Sequence, residues 1–170
     1  MCVVGITSAA EAQGLTFGIN GGTVIPIGDF SDITETGFGG NMSLGYRLTE
    51  SWALHLMAGY HQFGEKEVGP IKISGAFIPI RIGLRKFWGA SKRFYTSPQL
   101  GIFIGADDFE EKEEFGMGPR IGYQFPFPDG ITKIDVGAEF NNIFADIDDK
   151  DIRYFGIDIG IEFGLGGPLY

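Results

Sequence analysis

Apolar residues recur at every second position along most of the chain, in eight runs at about 15–27, 37–48, 52–63, 73–87, 93–105, 115–126, 132–144 and 152–164. A period of two is the mark of a strand with two unlike faces, and no stretch shows a persuasive helical period of 3.6. The connections alternate in character. Those after the second, fourth and sixth runs are tight turns, "LTES", "WGASK" and "FPDG". Those after the first, third, fifth and seventh are longer and mostly acidic: "GDFSDITE", "GEKEVGPIK", "ADDFEEKEE" and "ADIDDKD". Short turns on one side and long loops on the other predict an all-β, eight-stranded antiparallel up-and-down barrel. Most runs reach the roughly 9–11 residues a tilted strand needs to cross a bilayer, whereas strands of a sandwich average about five or six. An even strand count returns both termini to the tight-turn side.

The two faces of these strands differ sharply. One carries Phe38, Met42, Leu44, Tyr46 and Leu48, then Trp52, Leu54, Leu56, Ala58 and Tyr60, and continues so to Phe155, Ile157, Ile159, Ile161 and Phe163, without a formal charge. The other is polar and small, and its charged members are nearly balanced in sign. A lumen just wide enough to be filled by side chains suits that second face, since buried charges need partners and Gly leaves room for long side chains. Arg47, Arg81, Arg85, Arg120 and Lys133 are therefore expected to pair with Asp135, Glu139, Asp158 and Glu162, with His55 in the same polar network. Lys or Arg facing lipid at mid-membrane would cost roughly 2–4 kcal/mol, which accounts for its absence from the apolar face. Tyr46, Trp52, Tyr60, Trp88 and Tyr123 lie near run ends, where interfacial aromatics belong. A soluble, lipocalin-like barrel would reverse these two faces. Pro26, Pro79, Pro98 and Pro119 fall inside the runs. A closed barrel has no edge on which to leave a missing N–H, so bulges or strand ends are expected there.

Composition narrows the classes further. A length of 170 residues suits one domain, and a mean hydropathy of +0.07 is too polar for helical spans. The net charge of −9 argues against nucleic acid as a partner. The opening "MCVVGITSAAEAQG" reads as the back half of a secretory signal, with Ala10-Glu11-Ala12 in the A-x-A form that precedes cleavage. Residues 1–12 are thus expected to be a signal segment and 13–170 the barrel domain. Cys2, the chain's single cysteine, would leave with the signal, and with it any thiolate chemistry.

The stretches "TFGINGGTVIPIGDF", "GAFIPIRIGLRKFW" and "YFGIDIGIEFGL" resemble the small outer-membrane β-barrel family abundant in Bacteroidota, broadly of the OmpA/OmpX type. The resemblance covers nearly all of the chain after the signal-like segment. It implies the outer membrane of a Gram-negative bacterium, both termini periplasmic, outer-membrane lipids as neighbours and no cofactor. Such barrels usually end on an aromatic residue that the assembly machinery reads. Tyr170 would serve, although Pro168 breaks the alternation and leaves Phe163 as the other candidate strand end.

A structural, adhesion or surface-interaction role without catalysis is the expectation. The main alternative is a lipid-modifying enzyme, by acyl transfer or deacylation, with His55 or His61 as its base, which requires a Ser or carboxylate beside an imidazole. Hairpin geometry instead sets Gly39 near His61 and Gly45 near His55, and neither histidine beside Ser43. A further alternative, a small-ligand-binding barrel, requires an apolar cavity in its upper part. The acidic loops, including Asp146, Asp148, Asp149 and Asp151, are candidates for divalent cations or surface partners, but they lack the spacing of an EF-hand and read first as a solvated charge run. "GINGG" lacks the P-loop lysine and sits in a strand pattern, so it is not a phosphate loop.

Overall fold

The computed structural model describes residues 14–68, 71–107, 109, 112–147 and 150–165, with side chains left out at 68, 71–73, 145–147, 150 and 151. The signal-like segment with Cys2, the tail with Pro168 and Tyr170, and the side chains of Asp146, Asp148, Asp149 and Asp151 therefore lie outside the described part.

Eight long strands close into one barrel: β1 (Leu15–Ile27), β2 (Glu35–Thr49), β3 (Trp52–Gly64), β6 (Gly75–Trp88), β7 (Phe94–Asp107), β8 (Glu113–Pro126), β9 (Thr132–Ile147) and β10 (Lys150–Gly164). Every strand pairs antiparallel with its neighbours, and β1 joins β10 to shut the cylinder. Closure removes the unpaired edges that an open sheet would expose. The chain enters and leaves at the tight-turn end, where the Leu165 N–H donates to the Leu15 carbonyl at 2.7 Å.

Two short elements in the long loops escaped the period-two reading. A four-residue helix α1 (Phe30–Ile33) bridges β1 and β2, and a ribbon of β4 (Lys66–Val68) and β5 (Ile71–Ile73) projects between β3 and β6. Neither is long enough to show a period.

The faces are sorted inside-out relative to a water-soluble barrel. Ile157, Ile159 and Phe38 are 55%, 60% and 76% exposed, while Arg81 and Arg120 are 2% and 1% exposed. An apolar wall around a charged centre is stable only where lipid replaces water outside.

The prolines overturn one expectation. Pro26 lies next to the end of β1, but Pro79, Pro98 and Pro119 sit mid-strand without a bulge. Pro98 pairs with Pro119 across β7 and β8, and Pro79 with Phe103 across β6 and β7. The ladder on the opposite side of each is interrupted with its register kept: between Ala58/Ile80 and His61/Phe77, Gly83/Gln99 and Lys86/Thr96, and Met117/Asn142 and Arg120/Glu139. In an antiparallel sheet the residues of a non-hydrogen-bonded pair turn their N–H groups to the other neighbour. Each missing N–H thus falls on a gap in one ladder while the other ladder holds.

Candidate functional site

The lumen is the only place where the strands bring together chemistry-bearing side chains in number among the described residues, and it is built in two layers. Inward positions alternate with lipid-facing ones on every strand, so each strand brings an inward side chain or a glycine about every 7 Å along its length. The layer toward the tight turns centres on Arg120. Its Nη2 donates to Asp158 at 2.7 Å and to Asp135 at 3.0 Å, Nη1 faces Glu139 at 3.3 Å, and Nε donates to the Tyr95 hydroxyl at 3.0 Å. Tyr95 in turn donates to Asp135 at 2.7 Å. Arg85 pairs with Glu162 at 2.8 Å and stacks over the Tyr95 ring at 4.1 Å, while Gln124 bridges Asp135 and Glu162. One level nearer the loops, Arg81 pairs with Glu139 at 3.0 Å and donates to Asn141 and Asn41.

Lumen glycines make this density possible. A Cβ on Gly122 would run into the Tyr95 hydroxyl, and one on Gly137 into the Arg120 guanidinium.

Arg47 and Lys133 depart from the expected pairing with carboxylates. Arg47 sits lower, donating to the Glu50 carbonyl at 3.0 Å and stacking 4.2 Å over Phe87. Lys133 donates to the side-chain oxygen of Gln124 at 3.4 Å. A long cation at the turn end can satisfy itself at the barrel mouth, without the deep ion pair that the central arginines require.

The two histidines hydrogen-bond to residues of the network. The register pairs His55 with Gly45 and His61 with Gly39. His61 Nδ1 faces the Tyr154 hydroxyl at 2.9 Å and Nε2 the Asn41 side-chain oxygen at 3.1 Å, so Nε2 carries the proton. His55 Nε2 lies 3.1 Å from Arg85 Nη2 and must accept from it, because a guanidinium only donates. Neither imidazole hydrogen-bonds a Ser or a carboxylate among the described residues, which leaves no base–nucleophile pair in this geometry.

Among the described residues the upper lumen is apolar. Val24, Phe63, Phe77, Phe103, Ile143, Ile152 and Tyr154 line it, and Phe30 of α1 drops in from above, with Phe63 4.9 Å away in an edge-to-face contact. The ligand-binding alternative required a cavity here, and among the described residues the aromatic side chains pack against one another in this layer. A void of about 10 Å³ between Arg85, Asp135, Glu162, Ser43, Gly18 and Gly160 is room for one water. Asn41, Gln124 and Asn141 lie inward as their place on the polar face predicts, whereas Tyr95 and Tyr154 were not among the expected lumen residues. Their inward parity was the available signal, and it also marked the apolar members of the upper layer.

A family model for the outer membrane protein beta-barrel domain matches residues 1–167. No curated protein matches the sequence. Among solved structures, the chain is similar in fold to Neisserial surface protein A (TM-score 0.62, 13% identity, covering 88% of this chain and 96% of that one). It is also similar to Ail of Yersinia pestis in a phospholipid nanodisc (0.60, 15%, 88% and 99%) and to OprG of Pseudomonas aeruginosa (0.52, 13%, 89% and 97%).

Proposed function

We propose that the chain, which belongs to the outer membrane protein beta-barrel family, works as a non-enzymatic structural and surface-interaction protein. The family places it in the outer membrane of a Gram-negative bacterium. In our reading residues 1–12 are removed on export, both termini are periplasmic and the long loops face outward.

The observation that carries this reading is the division of charge between a filled lumen and the loop end. The segments 28–35, 65–74, 107–114 and 145–153 hold 15 acidic and 5 basic residues, more than the whole net charge of −9. A wall of ion pairs capped by aromatic rings leaves solutes no wide path among the described residues, and there each histidine hydrogen-bonds an Arg, Tyr or Asn side chain. What remains for a partner to meet is the acidic outer face and the β4–β5 ribbon, which pairs with no other strand among the described residues. A field of one sign steers cationic partners and repels anionic ones, with a strong dependence on salt.

Cells of a Gram-negative host displaying the barrel test this directly. Retention on a cationic surface should exceed that of cells displaying a variant with the loop Asp and Glu changed to Asn and Gln, and the difference should vanish at high salt. An epitope placed in the 107–114 loop should be reached by antibody on intact cells. Equal retention of both strains would remove the surface-interaction role, and an inaccessible epitope would reverse the orientation.

A further inference from the structure

The outward face of the barrel is uncharged across its tight-turn half with one exception among the described residues, Lys86. Register places it directly opposite Trp52 on β3, and Trp88 follows two positions on, along the same face of β6. The ammonium lies 4.4 Å from the centroid of the Trp52 ring and 5.8 Å from that of Trp88. The Trp88 indole N–H donates to Thr96 Oγ1 at 3.0 Å, which fixes the second ring. Both rings remain open to the surroundings, at 37% and 49% exposure. No carboxylate lies within ion-pair distance of Lys86 among the described residues.

The neighbouring turn reinforces the sign. Lys92 reaches across to Ser51 Oγ at 2.8 Å, beside Trp52, and Arg93 is exposed next to it. A lysine held against two indole faces keeps N–H donors pointing away from the wall, at the depth where aromatic residues meet lipid headgroups. The anionic acceptors at that depth are phosphate oxygens, which a cation prefers over the neutral ester carbonyls and water.

We propose that Lys86, Trp52 and Trp88 form a headgroup site for an anionic glycerophospholipid of the periplasmic leaflet. The ammonium takes a phosphate oxygen, and the indoles lie along the boundary between glycerol and acyl chains. This rests on the reading above that the tight-turn end is periplasmic. A net-anionic headgroup is favoured over a zwitterionic one because Lys86 has no carboxylate partner among the described residues and Lys92 and Arg93 add to the local positive charge.

The chain provides its own reporter, since Trp52 and Trp88 are its two tryptophans. The full chain is refolded into phosphatidylcholine vesicles containing the same mole fraction of either brominated phosphatidylglycerol or brominated phosphatidylcholine, and tryptophan quenching is read. The brominated phosphatidylglycerol should quench as though enriched about fivefold at the rings, the ratio expected for one lysine at an anionic surface. The excess should disappear at high salt and in K86Q, and persist in K86R. Heat-modifiable gel mobility confirms that both variants are folded. Equal quenching by the two lipids, or an excess that survives in K86Q, overturns the site. An absence of quenching by either lipid instead defeats the membrane reading on which the site rests.

Discussion

Replacing Arg120 by Met removes the cation on which three lumen carboxylates converge, and the structure says which of them is stranded. Asp135 keeps the Tyr95 hydroxyl at 2.7 Å and Gln124 at 3.2 Å, and Glu139 keeps Arg81 at 3.0 Å and Asn141 at 3.1 Å. Asp158 loses both of its hydrogen bonds, since each comes from Arg120. Arg120 is 1% and Asp158 8% exposed, so water does not replace what is lost. Breaking a buried pair by deleting one partner costs about 3–5 kcal/mol, most of it the uncompensated charge that remains. Removing that charge as well, in R120M/D158L, should return about 2 kcal/mol, the scale of coupling between residues in one network. Urea unfolding of the refolded barrel in lipid vesicles, followed by tryptophan emission, gives each difference. A single variant within about 1 kcal/mol of the parent would refute the reasoning, because it falls below the range for breaking a buried pair. So would a double variant no more stable than R120M, because Asp158 would then not be the source of the loss.

Other expectations follow from single positions. A Cβ on Gly118 would meet the Phe140 carbonyl, whereas one on Gly21 would make an ordinary contact 3.6 Å from the Gly39 carbonyl. G118A should therefore lose about 1–3 kcal/mol in the same urea assay, and G21A should stay within about 0.5 kcal/mol of the parent. Phe30 is 2% exposed and anchors α1 in the upper lumen, so F30A should speed amide exchange at Thr34, whose N–H donates to the Phe30 carbonyl, while the amides of β9 and β10 stay protected. At the turn between β8 and β9, the Asp129 carboxylate is held below its usual range by hydrogen bonds from Thr132, side chain and backbone, and from the Ile131 N–H. Its stabilising contribution is present above the unfolded value near 3.9 and is lost as pH falls through the lower folded value. An NMR titration midpoint at or above the unfolded value would contradict that. Amino-terminal sequencing of the exported protein should begin at Gln13.

The strands were legible because each crosses a boundary between lipid and a polar lumen, and that boundary writes a period of two into the residues themselves. The run at 152–164 corresponds to β10 within two residues at its start, and Asp158 and Glu162 point inward where alternation put them. The partners inside were harder to read. Arg47 and Lys133 share the parity of Arg85 and Arg120, but how deep each sits depends on barrel stagger, which a linear pattern does not contain. The aromatic cap was missed for a related reason. Phe63, Phe77 and Phe103 have inward parity but meet only after closure, and Phe30 comes from an acidic loop whose single turn of helix is too short to announce itself. The prolines read as defects because parity says nothing about which ladder each residue bonds to. Pairing Pro98 with Pro119 is a solution visible only once the register is known.

The account stands or falls on which way the strands face, and a nitroxide scan along Tyr154–Phe163 measures that. In a chain with Cys2 replaced, single cysteines are introduced in turn, spin-labelled and read in phospholipid vesicles for collision with oxygen and with a water-soluble nickel chelate. Oxygen accessibility should peak at 155, 157, 159, 161 and 163 and fall at the positions between, with low nickel accessibility at the peaks. Peaks at the even positions, or nickel accessibility that matches oxygen along the whole stretch, would mean that the isoleucines do not face lipid.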